Sequence, residues 1–217
     1  MIYLKLKRVI DIILSLIGLI ILLPVFIVII IAIIIDSKGP ILFCQKRLGK
    51  DKTFFYILKF RTMRVDTPKD TPTHLLENPD QYITKVGKLL RKTSLDELPQ
   101  IWNIFVGQMS IIGPRPALWN QYDLISERDK YGANNIRPGL TGWAQINGRD
   151  ELPIEVKARL DGEYTKNITF SMDVKCFFLT IKSVLRRDGV VEGGTGKIKY
   201  EELPSNQNVF HEEVLPK

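Results

Sequence analysis

From Ile12 to Ile35 the chain carries no charged residue, and only Ser15, Gly18 and Pro24 punctuate its apolar side chains. A straight helix of that length would measure about 36 Å at 1.5 Å per residue, enough to cross a ~30 Å hydrocarbon core. Pro24, at the midpoint, removes a backbone hydrogen bond and clashes with the carbonyl of Ile20, so a kink is expected. Each half is then about 17 Å long, which dips into a bilayer without crossing it. Lys5, Lys7 and Arg8 precede the run; Lys38, Lys46, Arg47, Lys50 and Lys52 follow it. Cytoplasmic flanks collect such residues, so positives on both sides suit a segment that enters and leaves by one face. The pattern predicts a re-entrant helical hairpin over residues 1–40. It is too long for a signal peptide, and no small-residue cleavage site follows.

Beyond it the periodicity shortens. "ILFCQKR" (41–47) and "KTFFYILKFRTM" (52–63), joined across Gly49-Lys50-Asp51, read as two strands of a hairpin. Residues 65–82, rich in Pro, Asp and Thr, read as a mobile loop, whose His74 and Glu77 form a solvated pair rather than half a metal site. "KVGKLLRK" (85–92) mixes Val86, Leu89 and Leu90 with four positives, as an interfacial helix would. Ile101, Ile104 and Phe105 share one stripe of a short helix and predict core packing. Over 173–187, Val174, Phe177, Phe178, Ile181 and Val184 fall on one face, and Lys175, Lys182 and Arg186 form a basic stripe suited to water or anionic lipid. From Tyr200 the chain reads as a tail. The expected organisation is α+β and mainly helical: a membrane hairpin (1–40), a cytosolic domain at the membrane interface (41–199) and the tail (200–217).

The net charge of +7 and pI near 9.3 imply anionic partners such as phosphates or acidic headgroups. Two cysteines, Cys44 and Cys176, lie far apart and outside any metal-ligand spacing, which suits a reducing compartment. With two histidines, a zinc site is disfavoured. "EGGTGK" (192–197) imitates a phosphate-binding loop but has Val191 where the first glycine belongs and Ile198 where Ser or Thr belongs.

"TSLDELPQ" (93–100) sets Asp96 beside Glu97. Ser94 and Glu97 fit a capping box, with the acids near the positive end of a helix dipole. The same pair could instead perform chemistry, and this stretch alone leaves both readings open. "IIGPRPALWNQY" fixes Arg115 between Pro114 and Pro116, and a guanidinium held with little entropy loss suits bidentate phosphate recognition. "IRPGLTGWAQINGR" (136–149) packs three glycines among Arg137, Gln145, Asn147 and Arg149, either to bring N–H groups and amides to a ligand or as a simple connector. Lys59 and Arg61, two apart on the second strand, point to one face and add two positive charges.

The order of "KFRTM", "TSLDELPQIWNI", "GPRP" and "RPGLTGWAQINGR", after a Pro-broken hydrophobic run, resembles the bacterial sugar transferases. More narrowly it is similar to the small monotopic phosphoglycosyl transferases, from about Lys7 to about Gly189. The resemblance implies transfer of a sugar-1-phosphate from a UDP-sugar to polyprenyl (undecaprenyl) phosphate at the cytoplasmic face of a bacterial inner membrane, releasing UMP and beginning a polysaccharide or other glycoconjugate. It places the nucleophile on Asp96 with Glu97 as its partner, Mg2+ on these two carboxylates, a phosphate contact on Arg115, and activity-linked positions on Lys59 and Asp173. The size matches minimal members, and a second copy of the chain is a further candidate partner. Leu23-Pro24 stands where some members have Ser-Pro, which keeps the bend but removes a hydroxyl.

Physical chemistry agrees. An ionised carboxylate approaching a pyrophosphate meets a repulsion of about 4 kcal/mol per charge pair at 4 Å and an effective dielectric of 20. A cation and an arginine must offset it. Two other classes compete: a magnesium-dependent nucleotide-sugar hydrolase, and a membrane-tethered polyanion-binding module using Trp102, Trp119 and Trp143 for stacking. No nucleic-acid motif supports the latter.

Overall fold

The structure, a computed structural model, describes residues 2–67, 79–148 and 152–186. Arg149, the His74–Glu77 pair, the "EGGTGK" segment and the tail lie outside the described residues.

Helix α1 (Ile2–Ile21) and helix α2 (Leu23–Asp36) meet at Leu22 with a bend of 59°. Hydrogen bonds from Leu22 N to Gly18 O and from Phe26 N to Leu22 O persist on either side. Pro24, in the first turn of α2, has no N–H to offer Ile20. The expected kink is present, but it is a wide bend rather than a closed hairpin, and α1 begins well before the apolar run. One face of α1 is polar and docked. Asp11, 3 % exposed, accepts from Ser110 Oγ (2.8 Å) and Ile111 N (3.0 Å). Arg8 donates to the carbonyls of Ile104 and Phe105, and Lys7 to Asp173. Two of the three positives that precede the run are thus committed inside the protein. The opposite surface of both helices, including Ile13, Ile17, Ile20, Ile27, Val28 and Ile31, is exposed. Among the described residues no single helix is long and apolar enough to cross a membrane.

Strands β1 (Leu42–Leu48) and β2 (Phe54–Phe60) form the predicted antiparallel hairpin, with Phe43 opposite Lys59 and Leu48 opposite Phe54. Helix α3 (Lys85–Lys92) is capped by Thr84, whose Oγ1 accepts from Gly87 N, while Asp36 at the end of α2 accepts from Val86 N. The amphipathic pattern of α3 buries Leu90 with Ile29, Ile33 and Phe60. Helix α4 (Gln100–Phe105) lies along the edge of β2. Its buried Asn103 accepts from Leu58 N and donates to Tyr56 O, so a side-chain amide pairs the strand edge that no third strand covers. Ile104 is buried beside Phe55, Ile57 and Met109, as its stripe predicts.

Two short parallel strands, β3 (Ser110–Ile112) and β4 (Gly139–Thr141), bracket helix α5 (Tyr122–Asp129). Glycine is required where they meet: a Cβ on Gly139 would lie 2.1 Å from Gly113 N, and one on Gly142 2.1 Å from Gly113 O. At Gly139 and Gly142 the glycine-rich segment therefore packs backbone on backbone. Helices α6 (Trp143–Ile146), α7 (Ile154–Lys166) and α8 (Phe170–Arg186) complete the α+β, mainly helical architecture. Among the described side chains of α8, Cys176 is buried, whereas Phe177, Phe178 and Ile181 of the predicted apolar face are exposed.

Candidate active site

The acid pair sits on a reversal of the chain. Helix α3 stops at Lys92, Ser94 adopts a left-handed conformation (φ 55°, ψ 17°), and Leu95–Glu97 form one 3-10 turn ahead of Pro99 and α4. That backbone state is uncommon for a residue with a side chain. The capping box does not form. Ser94 makes no capping hydrogen bond, and Glu97, instead of reaching back to it, is drawn to two cations.

Lys59 Nζ lies 2.7 Å and Arg115 Nη2 2.9 Å from the same oxygen of Glu97, Oε1. Oε2 faces Arg115 Nη1 at 3.5 Å. Burial pulls the Glu97 carboxyl up, but the charges and hydrogen bonds of Arg115 and Lys59 outweigh it and hold the group well below the usual carboxylate range. Asp96 is shifted the other way. Burial raises it, the Glu97 charge adds to the rise, and Lys59, Arg91 and Arg115 pull it down. Two adjacent carboxylates thus have opposite environments: one is neutralised by ion pairs, the other stands among three cations without a hydrogen bond from any described residue.

Arg115 is held by its backbone. Pro114 O accepts from Gly139 N, Arg115 O from Arg128 Nη1, Pro116 O from Arg47 Nη1, and Ala117 O from Leu48 N. Behind the loop, Arg128 pairs with Asp161 at 2.6 Å, both almost fully buried. Lys59 is placed by β2, whose edge Asn103 clamps to the helix that follows the acid turn.

The other expected site residues have contacts of their own. Arg61 is 5 % exposed and donates to Ser37 O, Ser37 Oγ and Lys38 O, closing the C-terminal end of α2; it is a structural cation and does not join Lys59, because β2 ends one residue before it. Arg137 donates to Gly107 O, and exposed Asn147 to Trp143 O. Gln145 has both amide atoms buried without a partner, and its Oε1 lies beside Gly142. Asp173 accepts from Tyr3 OH, Lys7 Nζ and Tyr164 OH, each at 2.6 Å, so its contacts join α1, α7 and α8. Sequence reasoning overlooked Arg91, read only as part of a basic interfacial helix. The signal was its place in the last turn of α3, directly before the reversal that carries Asp96.

Among the described residues no group of three or more His, Cys, Asp or Glu gathers as a metal site. Mg2+ commonly takes one or two carboxylates and completes its shell with phosphate oxygens and water. Asp96 and Oε2 of Glu97, the oxygen less engaged by Arg115, fit that demand.

A sequence profile described as bacterial sugar transferase matches residues 2–187. An undecaprenyl-phosphate glucose phosphotransferase of Komagataeibacter xylinus is 38 % identical over 188 residues, 81 % of this chain and 35 % of that protein. An uncharacterized sugar transferase, EpsL, of Bacillus subtilis is 41 % identical over 153 residues, 70 % of this chain and 73 % of the relative. A UDP-glucose:undecaprenyl-phosphate glucose-1-phosphate transferase of Escherichia coli is 41 % identical over 184 residues, 81 % of this chain and 39 % of that protein. The chain therefore spans well under half the length of the first and third of these relatives.

Proposed function

The chain belongs to the bacterial sugar transferase family, and from that premise we propose that it transfers a sugar-1-phosphate from a UDP-sugar to polyprenyl phosphate through a covalent intermediate on Asp96. The observation that carries the reading is the adjacent pair itself, with Glu97 Oε1 held by Lys59 at 2.7 Å and Arg115 at 2.9 Å while Asp96 accepts no hydrogen bond from a described residue. A carboxylate oxygen of Asp96 attacks the sugar-bearing phosphorus, and the bond to the bridging oxygen breaks, releasing UMP. The phosphosugar remains on Asp96 as an acyl phosphate. A phosphate oxygen of the polyprenyl phosphate then attacks the same phosphorus, the Asp96 bond breaks, and the carboxylate is restored. Each step is a single displacement, and two easier displacements replace one hard one. Glu97 holds Lys59 and Arg115 where the pyrophosphate charge must be met. Mg2+ bound at Asp96 and Glu97 would supply further positive charge against the pyrophosphate.

The test is UMP release from a panel of UDP-sugars, with and without polyprenyl phosphate and with and without chelator. Release should require Mg2+, and net turnover should require the lipid. UMP formed at full rate without polyprenyl phosphate would identify a hydrolase instead. In the same assay Arg115→Lys keeps the charge but loses the planar fork, and should lower kcat/KM by about tenfold or more. Wild-type turnover by that variant would remove Arg115 from the phosphate site.

The wide bend and exposed apolar surface of α1 and α2 support a segment buried in one leaflet, with both ends on the cytoplasmic side. Helix α2, at 14 residues, is about 21 Å long, short of a ~30 Å hydrocarbon core. With Cys44 changed to Ser, single cysteines at the exposed positions Lys5 and Lys50 should both resist an impermeant thiol reagent applied to intact cells. Labelling at one of the two would establish a crossing.

A further inference from the structure

Gln100 opens helix α4 and is 1 % exposed, yet no described residue accepts a hydrogen bond from its Nε2. A buried amide N–H without an acceptor costs stability, so such groups are scarce in folded proteins. One turn away stands the opposite deficiency. Asp96 accepts no hydrogen bond from a described residue, whereas Glu97 Oε1 already takes Lys59 and Arg115. We propose that Gln100 is a catalytic donor: its Nε2–H holds the carboxyl oxygen of Asp96 that does not carry the phosphosugar, and steadies the carboxylate as it departs in the second displacement. The inference rests on the transferase reading above.

The backbone sets the two side chains within reach. Helical conformation runs through the junction: after the 3-10 turn, Leu98 (φ −54°, ψ −36°) and Pro99 (φ −60°, ψ −17°) stay right-handed, and α4 follows. Leu98 N bonds Leu95 O, Ile101 N bonds Leu98 O and Trp102 N bonds Pro99 O. Wound at between about three and 3.6 residues per turn, the chain projects Gln100 one turn beyond the acid pair, in the angle between Asp96 and Glu97. Residues three and four apart on a helix have Cβ atoms about 5–6 Å apart, a gap that a glutamine amide spans. Asn103, one turn further on, is fixed to Tyr56 O and Leu58 N, so this face of the helix is turned to β2, the strand that carries Lys59. The chemistry gives the donor its task in one step more than the other. In the first displacement Asp96 loses its charge as its oxygen bonds to phosphorus. In the second, an oxygen of polyprenyl phosphate bonds to phosphorus, the bond from phosphorus to Asp96 breaks, and its electron pair stays on the carboxylate; no proton moves. A donor at that carboxylate binds the second transition state more strongly than the acyl phosphate before it.

Gln100→Met keeps the length of the side chain and removes the N–H. The covalent intermediate is formed from UDP-sugar alone and then chased with polyprenyl phosphate, the first step read by UMP release and the second by loss of the phosphosugar mass from Asp96. The variant should release its first UMP within about threefold of the wild-type rate and discharge to lipid at least about tenfold more slowly. It should also melt no lower than wild type, since a thioether leaves no donor unpaired. Discharge within about twofold of wild type would overturn the assignment. Equal slowing of both steps with a lowered Tm would overturn it too, because Gln100 would then only shape the acid turn. A second readout needs no variant: in wild-type protein carrying 15N-glutamine, the Gln100 Nε2–H resonance should move downfield as the intermediate forms, and an unmoved resonance would sink the proposal. If wild-type protein gained no phosphosugar from any UDP-sugar, the transferase reading would fail and take this inference with it. A wild type that gained and discharged it, beside an unimpaired variant, would remove Gln100 alone.

Discussion

Asp96→Asn should leave a folded, membrane-bound protein whose turnover falls by at least about a thousandfold. The substitution is nearly isosteric and removes only the anionic oxygen that the first displacement requires. Wild-type protein given a UDP-sugar without lipid acceptor should gain the mass of one phosphosugar on the peptide containing Asp96. The variant should gain none. A label on another residue, or substantial turnover by Asp96→Asn, would return the acid pair to a purely structural part. Titration of the metal-free protein adds an independent readout. Burial together with the Glu97 charge raises the Asp96 pKa, so without Mg2+ its carboxyl carbon, followed by NMR, should titrate above the range of an ordinary aspartate. Glu97→Gln removes one source of that rise, so the midpoint should move to lower pH. A midpoint that stayed in place would show that Glu97 does not act electrically on Asp96.

Which parts of this site were legible depended on how local their causes are. The bend announced itself because a proline's missing N–H acts within one helical turn. The β-hairpin was readable from alternation, and the stripe of α4 from helical spacing. Asp96, Glu97, Lys59 and Arg115 were singled out by residue type and motif order, and the structure brings all four together. What failed was inference from pattern to partner. Ser94 and Glu97 have capping-box spacing, but the cations that compete for Glu97 lie 18 and 38 residues away in sequence. Arg61 was paired with Lys59 by strand periodicity, yet the strand ends at Phe60 and Arg61 turns to the end of α2. Its surplus charge serves a helix terminus rather than a phosphate. Asp11 and Arg128 belong to the same lesson, since a buried polar or ionic partner separated by tens of residues leaves no local mark.

Arg128 supplies the second large effect. Its guanidinium spans two tasks: it neutralises buried Asp161 through Nε and Nη2, and through Nη1 it donates to the carbonyl of Arg115. Arg128→Met leaves Asp161 buried without its cation, a loss of about 3–5 kcal/mol. At this chain length that should lower the Tm by roughly 10 °C, read by thermal melting in detergent. The double variant Arg128→Met/Asp161→Leu removes the stranded charge along with the pair. Buried ion pairs replaced by apolar residues of similar volume are often neutral in stability, so most of the lost Tm should return. Turnover should not return with it, because the Arg115 carbonyl would still lack its donor and the guanidinium facing Glu97 would be held less firmly. A double variant that recovered both stability and turnover would show that Gly139, Arg47 and Leu48 fix the loop by themselves. A single variant that melted with the wild type would show that Asp161 had found another partner or taken up a proton. Melting temperature and turnover together thus separate holding the fold from aiming Arg115, two tasks that one buried arginine performs at once.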